Sequence, residues 1–384
     1  MFEALNLFLI FFFLPTQLGL HFWPFFSYLQ GYRVDYLSPT FYFTDLLLII
    51  YLLRHLSNIK TILTIKIKKT LPLIVFLILN LLFSLSPLNT LFWFLRLIIY
   101  FVFVYLLRFL HYPLSKVFLP LLLGVSLQIF LAIFQFTHQS SLDGFWYYLG
   151  ERHFSLSTPQ IAKFNFFGHL LLRPYATFSH PNAFAGFLFL VLLLTRQITI
   201  SFSKAIQAIL IISILLTGSK AVLIVTILLY LNSPLFFNLF LSFLLTFLLP
   251  LLPHITSTLH TSLPYTLSSR LTFLQHTTSL LIHYPIFGVG YGNYLVGLTN
   301  ILPTNQLLPS LLQPVHNLPL LLISEFGLVG LFPLITVYRY KFKNFPSKNL
   351  VVLSLLLVLS VFDHYFYTLP QTKLLLLIVL GYLV

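Results

Sequence analysis

The sequence predicts an all-α fold, a polytopic integral membrane bundle of about twelve transmembrane helices with long external loops. Three observations carry this. The chain of 384 residues is 59% hydrophobic and only 7% charged, with 44 Phe and a mean hydropathy of +0.97, which no ordinary soluble domain approaches. Its apolar runs are continuous, whereas a membrane barrel needs alternating segments of roughly 10 residues. Its basic residues gather mostly between those runs, as cytoplasmic anchoring demands.

The spans follow in order. The first runs from about Phe2 to Leu20 and is broken by Pro15. It follows directly on Met1 with neither a basic n-region nor an Ala-x-Ala site, so it is expected to be retained. An aromatic loop from Trp23 to Thr40 leads to span two, about Phe41 to Leu53. A basic patch, Arg54 to Lys69, precedes a hairpin of spans three and four, about Thr70–Leu85 and Leu88–Leu107, turning at Ser86-Pro87. Span four carries Arg96 in mid-helix, and span five ends near Phe136. A long loop, 138–181, holds Trp146-Tyr147-Tyr148. Spans six to nine are about Asn182–Leu194, Lys204–Leu216, Ala221–Leu231 and Leu235–Leu252. The longest loop, 253–315, precedes span ten at Asn317, span eleven at about Asn349 and span twelve at about Lys373.

With the N-terminus inside, alternate short loops deliver Arg54, Lys60, Lys66, Lys68, Lys69, Arg108, Lys116, Arg196, Lys204 and the Arg339–Lys348 cluster to the cytoplasm. Arg33, Arg152, Lys163, Arg173, Lys220, Arg270 and Lys373 fall outside, spread over longer segments. Both termini are then cytoplasmic, while loops 138–181 and 253–315 face the exterior. No internal repeat, linker or low-complexity tract divides residues 1–384, so one membrane domain is expected.

Twenty-one Lys and Arg against 7 acids give a net charge of +14. In a soluble chain this balance points to nucleic acid; between membrane spans it anchors loops to anionic lipid, and no nucleic-acid partner is expected. Cysteine is absent, which removes disulfides and thiolate metal sites. The acids form no Asp-x-Asp or Glu-x-x-His pair able to hold a divalent metal. There is no Walker loop, dinucleotide fingerprint or Gly-x-Ser-x-Gly elbow.

The chemistry-bearing residues lie at helix mouths. His316 precedes Asn317, which is suited to cap a helix in which Pro319 is tolerated in the first turn. An imidazole titrates near neutrality and suits a general base. Glu325 lies inside the same span, about half a turn round and some ~13 Å below His316, so the two are not expected to touch. A buried partner such as Arg96 is its expected role. Gly327 and Gly330 are expected to permit close packing.

External cations run against the topology rule, so they need reasons. Arg173 lies in a segment that ends His180-Pro181-Asn182, with Asn182 as the expected cap of span six and His180 either orienting a substrate or shaping that helix start. Lys220 sits in the turn between spans seven and eight, and Arg270 in the longest loop. Interfacial snorkelling explains any one of them. Together beside His316 they make a site for a polyanion, for which an arginine fork is suited to phosphate oxygens. Trp146, Tyr147 and Tyr148 fit sugar stacking or an interfacial belt equally. Asp35 beside Arg33 is expected to form a local salt bridge.

Four blocks, in this order, carry a family resemblance. They are Arg173-Pro-Tyr-Ala-Thr-Phe-Ser-His180-Pro-Asn182-x-x-Ala185, Gly218-Ser219-Lys220, Pro285-x-x-Gly288-x-Gly290-x-Gly292-Asn293, and His316-Asn317 followed by Gly327-x-x-Gly330. Together they resemble the O-antigen ligase and O-antigen polymerase superfamily, which includes bacterial O-oligosaccharyltransferases, over nearly the whole chain. Where that family has arginine the chain has Lys220, a point charge instead of a bidentate fork. The resemblance implies a metal-independent, inverting membrane glycosyltransferase of cell-envelope polysaccharide biosynthesis. Its donor is a glycan on a polyprenyl diphosphate such as undecaprenyl diphosphate, and its acceptor hydroxyl belongs to a glycan or lipid-glycan. It works without a cofactor at the outer face of the cytoplasmic membrane. His316 is then the catalytic base, with Arg173, Lys220, Arg270, His180, Asn182 and Asn317 binding substrate. The alternative is a polysaccharide or lipid transporter without transfer chemistry, which is expected to carry more polar mid-span residues and internal repeats.

Overall fold

Where a backbone has no water to pair with, helices are the economical solution, and they supply most of this computed structural model, which describes residues 2–199, 201–248, 265–303, 311–333 and 346–383. In chain order the helices are α1 (Phe2–Phe13), α2 (Phe43–Arg54), α3 (Leu56–Leu82), α4 (Pro87–Phe109), α5 (Leu114–His138), α6 (Pro181–Thr195), α7 (Ser203–Thr217), α8 (Lys220–Tyr230) and α9 (Leu235–Phe243). They continue with α10 (Tyr265–His283), α11 (Tyr294–Ile301), α12 (Leu318–Phe326), α13 (Ser347–Phe362), the single turn α14 (Tyr365–Thr368) and α15 (Pro370–Leu383). Among the described residues, α4 and α5 are long and apolar enough to cross a membrane, and the other apolar helices are shorter.

A helix that is apolar all round must be covered all round. That is the position of α6, buried along almost its entire length and packed against α5, α7, α8, α14 and α15. Gly186 is the point of closest approach: a Cβ there would lie 2.1 Å from the Tyr365 ring. By contrast α5 is one-sided. Leu119, Leu123, Leu127, Phe130 and Ile133 form an exposed stripe at helical spacing, while Leu121, Val125, Gln128 and Ala132 are buried on the opposite face.

The structure is mostly helical, as expected, with a few short strands among the described residues. Outside the helices the backbone pairs with itself in three two-stranded antiparallel ladders: β1 (Gly19–His21) with β4 (Thr40–Tyr42), enclosing β2 (Tyr28–Leu29) with β3 (Tyr32–Arg33), and β5 (Lys163–Phe166) with β6 (His169–Leu172). Gln30-Gly31 and Phe167-Gly168 take positive φ at their turns, the backbone that tight hairpins require.

Other boundaries also moved. The patch expected to be a loop between spans two and three is helical, because α3 runs unbroken from Leu56 and carries Lys60; lysine is a good helix former and no breaker intervenes. The described parts of loop 253–315 include α10 and α11, whereas 253–264 and 304–310 lie outside the described residues. Span ten is a short helix that stops at Phe326. Gly327 turns the chain at φ +62, and a Cβ there would lie 2.2 Å from the Ile286 carbonyl. The cytoplasmic cations expected at Arg339, Lys341 and Lys343 lie outside the described residues.

That Gly327 turn joins two of the sequence blocks. Val289 and Gly290 donate backbone bonds to the Ser324 and Glu325 carbonyls at 3.0 Å each, and Leu328 donates to the Pro285 carbonyl at 2.9 Å. Asn80 Nδ2 donates to the Glu325 carbonyl at 3.0 Å, while its Oδ1 accepts from the Tyr291 amide at 3.0 Å. These bonds fix the base of α12, and so the direction in which its N-terminus points.

Candidate functional site

Asn317 caps α12 as its position predicts, its Oδ1 accepting from the Leu320 amide at 3.1 Å. The extended backbone at the cap leaves the preceding His316 at the helix mouth, with a quarter of its side chain exposed. Its Nδ1 meets Asp363 Oδ1 at 3.4 Å. Asp363 ends α13 in an extended conformation and faces back across the site. The same Oδ1 accepts the His364 amide at 2.8 Å, and Oδ2 accepts Asn182 Nδ2 at 3.3 Å.

Electrostatics at this carboxylate oppose one another. Burial pushes its affinity for protons up; the His316 hydrogen bond, with the imidazoles of His316, His364 and His180, overcomes this and holds Asp363 well below the usual carboxylate range. Asp363 is therefore an anion at neutral pH. Facing an anion, His316 Nδ1 serves as donor, so the neutral ring carries its lone pair on Nε2.

Arg173 reaches the same carboxylate through one intermediary. Its Nη2 donates to Asn182 Oδ1 at 2.6 Å, and its Nε donates to the Thr217 carbonyl at 2.7 Å. The guanidinium is thus pinned against the Thr217–Lys220 turn with donors to spare. Asn182 does not cap α6, contrary to the sequence expectation. His180 caps it, its Nδ1 accepting from the Asn182 amide at 3.1 Å, which frees the Asn182 side chain to bridge Arg173 and Asp363. Burial pushes His180 down to about 4, so it is neutral and able to accept.

Arg270 on α10, His316 and Asn317 line one cavity of about 130 Å³. Its remaining wall is apolar, formed by Leu245, Leu271, Leu274, Val315, Val361 and Phe362. A charged mouth on an apolar chamber suits a ligand with an anionic head and a hydrocarbon tail. Lys220 is the first residue of α8 and exposed, three residues past the Thr217 carbonyl that holds Arg173 Nε.

Three further expectations are corrected. Arg96 does not meet Glu325; it pairs with Asp45 Oδ2 at 2.8 Å, and Tyr100 donates to Asp45 Oδ1 at 3.1 Å. Glu325 instead accepts the Gly292 amide at 2.9 Å, the Tyr294 amide at 3.3 Å and the Tyr367 hydroxyl. Lys373, expected outside, is buried, donates to Tyr291 Oη at 2.7 Å and lies over the Trp93, Tyr291 and Tyr367 rings. Arg33 stacks over Trp23 at 5.5 Å, and no described ion pair joins it to Asp35.

Asp363 is the residue that sequence reasoning undervalued. It was legible as an acid, but reads as a mid-span group; it ends α13 on the side where His316 opens. A further consequence concerns cations. His316, Asp363 and His364 present ligand-type atoms within 4.8 Å of one another, and His364 Nε2 is buried without a hydrogen-bond partner. Its Nδ1 is spent on Thr368 Oγ1 at 2.9 Å.

Apolar helices around a buried polar cluster beside an apolar cavity point to a membrane protein. Residues 181–335 match the family model described as O-Antigen ligase. The match spans Asn182, Lys220, Arg270, His316 and both glycines of the Gly327-x-x-Gly330 pair. Arg173, His180 and Asp363 lie outside it. No curated protein and no solved structure matches the chain.

Proposed function

We propose that the protein is a membrane glycosyltransferase that moves a glycan from a polyprenyl diphosphate to an acceptor hydroxyl, as a polymerase or ligase of surface polysaccharide. The observation that carries this is the shared cavity: a general-base histidine backed by an anion, an arginine beside it, and an apolar wall for a lipid tail. The reading places the site on the outer face of the cytoplasmic membrane in a single domain of about twelve spans with both termini inside.

In this reading His316 Nε2 takes the acceptor proton as the oxygen attacks the anomeric carbon. A new C–O glycosidic bond forms with inversion, the anomeric C–O bond to phosphate breaks, and the polyprenyl diphosphate leaves with the electron pair. Asp363 holds the ring and stabilises the imidazolium. Arg270 and Arg173 meet the charge that develops on the diphosphate. His180 and Asn317 act through the helix starts they cap, and Asn182 positions Arg173 against Asp363. Lys220 contributes at longer range.

Chelation separates this from a second reading, a divalent cation held by His316, Asp363 and His364. Purified enzyme in proteoliposomes with a polyprenyl-diphosphate glycan is expected to keep its turnover in EDTA. Loss on chelation, restored by one metal, supports the second reading. Flipping of the donor across the bilayer without glycosidic bond formation supports a transporter.

A further inference from the structure

The external loop 138–181 exposes large aromatic side chains in two places. One is the turn Gly144–Leu149, where Phe145, Tyr147 and Tyr148 are exposed. The other is the β5–β6 hairpin, whose tip carries Phe166, Phe167 and Leu170, with Phe167 89% exposed. Neither is isolated from the helices. Trp146 lies against Phe130 with ring centroids 6.2 Å apart, and Phe130 belongs to the exposed stripe that runs the length of α5. Phe164 of the hairpin stacks on Phe136, near the end of α5, at 6.2 Å with planes only 2° apart. The aromatic surface is therefore continuous with the exposed face of α5. Lys163, exposed at the open end of the hairpin where it pairs with Leu172, gives that edge a cation. Asp143 is occupied by His153 at 3.0 Å and Glu151 is buried under the turn, accepting from Gln135 at 2.7 Å, so neither acid opposes that edge.

We infer that the Gly144–Leu149 turn and the β5–β6 tip lie in the headgroup region of the bilayer, anchoring this loop on an anionic lipid surface. Tyr147 and Tyr148, each with an apolar ring and a polar hydroxyl, settle at that depth, and the wholly apolar Phe145, Phe166, Phe167 and Leu170 gain by entering lipid beside them. The alternative, a platform on which sugar rings stack, would need the rings turned toward a glycan-binding cleft; here they continue the lipid-facing stripe. The inference does not depend on transfer chemistry, so the failure of one leaves the other standing.

The chain has no cysteine, so a nitroxide can be attached at a single introduced site. Phe145→Cys, Phe167→Cys and, as an exposed reference on the same loop, Ser157→Cys would each be labelled and reconstituted in vesicles containing phosphatidylglycerol. Labels at 145 and 167 are expected to collide several-fold more with oxygen, and several-fold less with a water-soluble nickel chelate, than the label at 157. Labels as open to the chelate as that reference overturn the inference. So does shielding at 145 and 167 that develops only when a soluble oligosaccharide is added, which would assign the rings to sugar.

Discussion

His316 and Asp363 come from helices on either side of the site and meet Nδ1 to Oδ1 at 3.4 Å, 47 positions apart in sequence. A base needs its free nitrogen fixed in direction, and an anion behind the ring does that while stabilising the cation formed in the reaction. Asp363→Asn keeps the shape and the bond to Asn182 but removes the charge. Its kcat is expected to fall about 10²–10⁴-fold with donor KM little changed; donor titrations in proteoliposomes check this.

Arg270 and Lys220 should separate. Arg270→Ala removes the cation on the wall of the cavity, and donor KM is expected to rise by about 10-fold, the equivalent of one charge-assisted hydrogen bond of roughly 1.5 kcal/mol. Lys220→Ala changes an exposed side chain without a described partner, and its donor KM should stay within about twofold, as for an ordinary surface substitution.

Acid sensitivity has a direction that can be worked out. His180 binds its proton at about 4 in the folded chain and near 6.5 when unfolded. Its contribution to stability is therefore complete above about pH 6.5 and is lost as pH falls toward 4. Thermal unfolding in detergent should shift downward across that window. His180→Asn can still cap α6 but does not titrate, and should flatten the slope. His364, which burial pushes down to about 3, adds in the same direction and accounts for the slope that remains.

Glu325 tests structure against chemistry. Glu325→Gln keeps one acceptor oxygen in place of two, so the Gly292 amide, on Oε2, and the Tyr294 amide, on Oε1, cannot both be satisfied. Stability is expected to drop by about 1–3 kcal/mol, the cost of leaving one buried amide unsatisfied. The turnover of the molecules that remain folded should hold. Gly327→Ala, at positive φ with backbone 2.2 Å from its Cβ, should cost about 3 kcal/mol or more; yield and melting temperature report both.

The helices were legible because their signals are local. Apolar runs located α6, α7 and α8 to within a few residues, and Asn317 announced its own helix. The hairpins at Gly31 and Gly168 were not, since short strands in loops carry no sustained alternation. The site was half legible. His316, Arg173 and Arg270 stand out as polar residues where polar residues need reasons. Which acid meets His316 is decided by how α12 and α13 cross, and no spacing along the chain encodes it. Glu325, on the same helix as His316, was expected to lie too far round to meet it, and the helix carries it to the Gly292 turn. Asn182 read as a cap until His180 proved to fill that role two residues earlier.

The most direct measurement of the central claim is glycan transfer by His316→Ala, reconstituted with a polyprenyl-diphosphate donor and compared with wild type at equal insertion and equal melting temperature. Removing the base should abolish turnover, a loss of at least about 10²-fold, while donor binding persists. Wild-type turnover in a correctly folded His316→Ala protein would contradict it.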